Sequence, residues 1–324
     1  MNKIACFRVE ASPRIGAGHA MRCSVLADAL VEQGWHCKFI TSSETYSFIE
    51  NLQRFEKVDS ERFYNAPIYC DLLVVDHYDL NESYEKYFRP FAKKIMVIDD
   101  LANRKHDCDI LLDQTYGREV EDYKSLVPEY CKIFTGSDYV LLRKEFVELR
   151  SKALEKRRKT KKIRNILISM GGGSSCDHAL KSLEIIKKSQ FKGSIDIVLG
   201  FTSNSADSIK SYIKDLPNDA RIHFNADMPK LIYEADLAIG AAGSSAWERC
   251  CLGLPSILMQ TACNQNFCFS KMADVCTIAS SEDHHFETLL KTIEMDFQNF
   301  VSKSAAIVKG QGTKILITYL QEMD

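Results

Sequence analysis

The stretch Ile4–Leu30, IACFRVEASPRIGAGHAMRCSVLADAL, decides how the rest of the chain is read. Ile4–Val9 is an apolar run of strand length, and Cys23–Leu30 carries an amphipathic helical pattern. The polar loop between them contains Gly16 and Gly18. A strand, a glycine-loosened turn and a helix bring backbone N–H groups and a helix amino end to one point, which suits a phosphate or another anion. The same loop holds His19, a residue that moves protons near neutral pH. The dinucleotide-binding fingerprint fits poorly, because its third glycine is missing.

Outward from this unit, strand-like runs alternate with helix-like ones. The first half offers His36–Ile40, Asp71–Val75, Lys94–Ile98, Ile110–Leu112 and Lys132–Thr135, with amphipathic stretches such as Met21–Gln33 and Ser83–Phe91 between them. The pattern restarts with Asn165–Ser169, Ile195–Leu199, Arg221–Phe224, Leu237–Ile239 and Ser256–Met259, with helices at Ser175–Lys188 and Ser245–Leu252. This alternation predicts an α/β chain of two doubly wound, Rossmann-like domains with an inter-domain cleft. The length of 324 residues agrees, since it exceeds one ordinary core. The expected division is 1–150, a basic linker 151–163, and 164–301, with 302–324 crossing back to the first domain by analogy with related folds.

Composition narrows the function classes. A formal net charge of -2 gives no global argument for nucleic acid. The basic run Lys152–Arg164 reads as a solvated linker or helix face. Twelve cysteines without a C-x-x-C pair read as buried reduced thiols in a cytoplasmic protein. There is no signal-peptide pattern and no apolar run long enough for a membrane span. No His/Asp/Glu cluster has metal spacing, so neither a metal nor a cofactor is expected. His284–His285 reads as a surface loop.

Ligands of doubly wound sheets bind beyond the carboxyl ends of strands, so the residues there are the candidates. His19 falls in the first helical turn, where the positive helix end favours a neutral imidazole, a potential base. Arg22 follows three positions on, on the same face, and could meet a phosphate. The plain alternative is a glycine turn with a solvent-facing histidine. In LAIGAAGSSAWERCCLGLP, Leu237–Pro255, a strand runs through Gly240 and Gly243 into a helix beginning near Ser244 and Ser245. Its N–H groups suit a diphosphate, and Glu248 could accept both hydroxyls of a ribose. Spacing alone equally allows a capping box between Ser245 and Glu248. Ser169-Met170-Gly171-Gly172-Gly173 is either a ligand-contacting turn or a flexible one. Asp76-His77-Tyr78 and Asn264-Gln265 could hold sugar hydroxyls or acetamido groups, or stabilise turns.

Taken together, RVEASPRIGAGHAMR, VDHYDL, GSDYVLLRKEF, ISMGG and GAAGSSAWERCCLGLPSI resemble the UDP-2,4-diacetamido-2,4,6-trideoxy-β-L-altropyranose hydrolases of pseudaminic acid biosynthesis. That family is itself similar to inverting glycosyltransferases built from two Rossmann-like domains. The resemblance implies His19 as the general base that activates water, and Tyr78 and Asn264 lining the sugar site. It implies Ser244 and Ser245 in the diphosphate turn, Glu248 on the uridine ribose, and no metal. It departs from the family pattern at Ala262-Cys263, at the later Asp177, and at Lys309 and Lys314. Two other readings compete with a hydrolase. A glycosyltransferase of the same fold would put a sugar or lipid hydroxyl in place of water. A sensor would bind the UDP-sugar without turnover and leave His19 without a role.

Overall fold

The computed structural model describes residues 3–12, 15–171, 176–200, 206–259, 266–272, 277–278 and 286–323. Within them the chain forms two compact units, 1–142 with 311–324, and 143–310.

The first unit is built on a seven-stranded parallel sheet. Its strands are β1 (Ile4–Val9), β2 (His36–Thr41), β3 (Glu56–Asp59), β4 (Cys70–Asp76), β5 (Ala92–Ile98), β6 (Ile110–Asp113) and β7 (Lys132–Thr135), in the order β3-β2-β1-β4-β5-β6-β7. β1 shows why the sheet is buried on both faces. Ala5, Phe7 and Val9 point into one core with Leu26 and Leu30 of the Gly18–Val31 helix. Cys6 points into the opposite core with Val58 and Phe63. A parallel strand covered on both faces reads as a continuous apolar run, which is why β1 is legible in sequence. The Gly312–Glu322 helix packs Leu316, Ile317 and Leu320 into the β1 core. Return to the first unit thus begins at 311, while the Phe297–Ile307 helix packs Phe297 and Val301 into the second.

The second unit holds a six-stranded parallel sheet of β8 (Asn165–Ser169), β9 (Ser194–Val198), β10 (Ala220–His223), β11 (Leu237–Ala241), β12 (Ser256–Met259) and β13 (Thr277–Ile278), ordered β10-β9-β8-β11-β12-β13. Both sheets therefore reverse direction beside their first strand, between β1 and β4 and between β8 and β11. These are the topological switch points at which doubly wound sheets take ligands. The two strands absent from the sequence reading, β3 and β13, lie at sheet edges, and β3 (EKVD) buries only Val58.

The stretch 151–163 is not a linker. Lys144–Lys159 is one helix, and the first unit ends at 142 rather than 150. The physical reason is Arg157, whose fully buried guanidinium donates to the carbonyls of Ile232 (2.7 Å), Ala235 (2.8 Å) and Leu252 (2.7 Å). It thereby satisfies carbonyls at the ends of the Met228–Glu234 and Ser244–Cys251 helices. Among the described residues, no helix is long and apolar enough to cross a membrane.

Candidate functional site

At the first switch point the chain leaves β1 through a tight turn in which the Gly16 N–H donates to the Ser12 carbonyl at 2.7 Å. Gly16 has φ +91°, a left-handed conformation that glycine adopts without strain. The chain then enters the Gly18–Val31 helix, whose amino end no side chain caps among the described residues. Gly16 and Gly18 are thus placed to shape this loop, and the helix begins one residue before His19.

His19 and Arg22 both face Asp76, the last residue of β4, which lies level with Val9 of β1. His19 Nδ1 is 2.5 Å from Asp76 Oδ1. Arg22 grips the same carboxylate with two bonds, Nε to Oδ2 at 2.7 Å and Nη2 to Oδ1 at 2.6 Å. Burial alone would push the Asp76 carboxyl up, but Arg22 and His19 outweigh it and hold it well below the usual carboxylate range. An ionised Asp76 can only accept, so it selects the tautomer of a neutral His19 in which Nδ1 carries the proton and Nε2 the lone pair. Arg22 Nη2, 3.0 Å from Nδ1, is a second donor to the same oxygen. Tyr78 packs edge-on against His19, ring centroids 4.5 Å apart at 84°.

This geometry corrects two sequence expectations. Asp76 was expected to touch sugar, but its side chain is fully inaccessible and both oxygens are occupied by His19 and Arg22. It positions the histidine. Arg22 was expected to meet a phosphate, but its guanidinium is committed to Asp76. Burial opposes its charge, and Asp76 with Asp100 more than offsets that, keeping it cationic.

The second switch point joins β8 to β11. Met170 is buried and Gly171 follows it at the carboxyl end of β8. Gly240 of β11 is the register partner of Ser169 of β8. A Cβ there would stand 2.5 Å from the Ser169 carbonyl oxygen and 2.8 Å from Arg249 Nη1. The following helix, Ser244–Cys251, has Gly243 as its N-cap and, among the described residues, no side-chain cap. The capping-box alternative does not hold: Ser245 Oγ accepts from Arg249 at 3.2 Å, and Glu248 pairs with Arg143 at 3.2 Å. Ser244 is exposed at the helix start. Burial pushes the Glu248 carboxyl up, against the pull of Arg143.

Three expected site residues, Gly172, Asn264 and Gln265, lie outside the described residues, as does the His284–His285 pair. The sequence gives no specific role to three others, of which Asp100 is marked only as a strand-end residue. Glu10, just after β1, accepts from Arg8 at 2.6 Å and from Ser42 Oγ at 2.7 Å, and so directs the loop. Asp100 lies 3.4 Å from both Arg22 Nη1 and the Tyr78 hydroxyl. Arg143 holds Glu248. Asp100 stands at a strand end and Arg143 within GSDYVLLRKEF, so the only signal for either was its neighbourhood. Among the described residues, no group of three or more His, Cys, Asp or Glu side chains is placed to hold a metal ion.

No protein-family model matches the chain. In sequence it is similar to the UDP-2,4-diacetamido-2,4,6-trideoxy-beta-L-altropyranose hydrolase of Campylobacter jejuni, 27% identical over 254 residues that cover 74% of this chain and 84% of that one. It is also 27% identical over 205 residues to the uncharacterised protein MJ1062 of Methanocaldococcus jannaschii. That match covers 61% of this chain, which spans 42% of the longer protein's length. In structure it is similar to MurG of Acinetobacter baumannii, with a TM-score of 0.71 at 14% identity, covering 100% of both chains. The likeness to MurG is one of fold: two Rossmann-like domains of the GT-B kind.

Proposed function

We propose that the chain is an enzyme that acts on a UDP-linked sugar, and specifically that it hydrolyses UDP-2,4-diacetamido-2,4,6-trideoxy-β-L-altropyranose to UDP and the free sugar. The observation that carries this reading is the His19–Asp76 pair at the β1/β4 switch point, which leaves Nε2 as a base. Similarity to the C. jejuni hydrolase supports this choice of substrate.

In this reading water is deprotonated by His19 Nε2 as its oxygen attacks the anomeric carbon from the face opposite UDP. The glycosidic C–O bond breaks and UDP leaves with its electron pair, so configuration inverts. Asp76 keeps the proton on Nδ1 and stabilises the imidazolium that forms. UDP is a good leaving group and needs no strong acid behind it. Because Arg22 is committed to Asp76, the diphosphate charge is assigned to the amino end of the Ser244–Cys251 helix and to Met170, Gly171 and Gly172. Glu248, held by Arg143, takes the ribose hydroxyls. Tyr78, Asn264 and Gln265 are assigned to the sugar.

The experiment is UDP release from this UDP-sugar with no acceptor and with a chelator present, the product anomer being read by NMR. Release with inversion supports a metal-independent hydrolase. Release only after an acceptor alcohol is added would make the chain a glycosyltransferase.

A further inference from the structure

Asp99 and Asp100 follow β5 side by side, and among the described residues each has a buried Oδ1 that accepts no hydrogen bond; only that of Asp99 has a close cation. Asp99 accepts from the Tyr123 hydroxyl and the Ala102 N–H, both at 2.9 Å, and pairs with Arg104 at 2.8 Å. Among the described residues the Asp100 side chain has two long contacts, both at 3.4 Å and both from Oδ2, to Arg22 Nη1 and the Tyr78 hydroxyl, while its carbonyl accepts from Arg118 Nη2 at 3.1 Å. Its Oδ1 is buried with no hydrogen-bond partner among the described residues. Charge-assisted bonds ordinarily close to about 2.7–2.9 Å, as Arg22 does on Asp76. A carboxylate with this much unused acceptor capacity, in a native site, calls for a ligand.

Its surroundings say which kind. The side chain as a whole is 23% exposed, although Oδ1 itself is covered, whereas Asp76 is sealed. It is tied through Tyr78 to His19, whose ring packs on the tyrosine. Two carboxylates, Asp76 and Asp100, face one guanidinium, so the site is formally anionic. Such a site repels a phosphate and favours a group that donates hydrogen bonds.

We propose that Asp100 is a specificity-determining residue that accepts a hydrogen bond from an N–H or O–H donor on the sugar. In the diacetamido sugar proposed above, that donor is an acetamido N–H. The inference rests on that reading for the identity of the sugar, and it uses an acceptor the reading itself does not require.

The test compares binding with turnover. In a His19→Ala background, which prevents consumption of substrate, titration calorimetry measures the affinity for UDP and for the diacetamido UDP-sugar. The sugar should add affinity, and Asp100→Ala should remove about ten- to a hundredfold of that gain. Its UDP affinity should stay within about twofold, which a merely structural defect would not spare. With His19 intact, Asp100→Asn, which keeps the shape, should raise KM more than it lowers kcat. A UDP-sugar with hydroxyls in place of the acetamido groups separates the donors. A smaller loss with it identifies the amide, and an equal loss identifies a shared hydroxyl. A sugar gain left intact by Asp100→Ala, or absent in its parent, overturns the inference. The hydrolase reading fails separately, if the wild-type chain binds this sugar through Asp100 but never releases UDP.

Discussion

Nδ1 of His19 and Oδ1 of Asp76 lie 2.5 Å apart, although 57 residues separate them in the chain. The parallel pairing of β1 with β4 makes this meeting possible, since Val9 and Asp76 are register partners. The consequence is chemical: the proton is held on Nδ1, and Nε2 is the basic atom.

Asp76→Asn should therefore lower kcat by about 10²–10⁴-fold, because an amide can present its N–H to the ring and reverse the tautomer. Affinity for UDP should change little. Steady-state kinetics beside a UDP titration separates the two, and a loss confined to KM would contradict the assignment.

The same carboxylate makes a pH prediction. Its folded value is depressed by Arg22 and His19, so it contributes stability that is fully present above the ordinary value of 3.8. That contribution is lost as the pH falls further, toward the folded value. Thermal melts below about pH 4 should show stability dropping more steeply in the wild-type chain than in Asp76→Asn. The variant should also be less stable at neutral pH, by roughly 3–5 kcal/mol, because Arg22 loses its partner. Equal acid sensitivity of the two proteins would argue against the depressed carboxyl.

Arg157 tests the second unit. Arg157→Met removes donors to three buried carbonyls, those of Ile232, Ala235 and Leu252. Each unsatisfied group costs about 1–3 kcal/mol, so denaturant unfolding should show a loss of several kcal/mol. A change under about 1 kcal/mol would return the stretch to the status of a solvated helix face.

Much of this architecture was legible because its decisive features are local. β1, the glycine loop and the Gly18–Val31 helix follow one another directly, as do β11, Gly243 and the Ser244–Cys251 helix. What stayed hidden depends on distant partners. Arg157 sits in a run of lysines and arginines, and its carbonyl partners lie 75 to 95 residues away. Arg22 was rightly placed on the His19 face, but nothing near it in sequence says that Asp76 will fill its fork. Asp76 itself reads as one polar strand end among several. Ser245 and Glu248 have capping-box spacing, and only the position of Arg143 and Arg249 shows that both side chains are engaged elsewhere.

For the nucleotide, Glu248→Gln and Arg143→Ala should each weaken UDP binding about tenfold while leaving kcat within a few-fold, if Glu248 holds the ribose. Arg143→Ala acts through Glu248, so the double variant should be no weaker than the worse single one. Additive losses in calorimetry would show that the two act independently.

The most direct test of the central claim is the rate of UDP release by His19→Ala, measured with its affinity for UDP. The account predicts a fall of about 10²–10⁴-fold in kcat, with UDP affinity unchanged within about twofold. A variant that released UDP at the wild-type rate would contradict it.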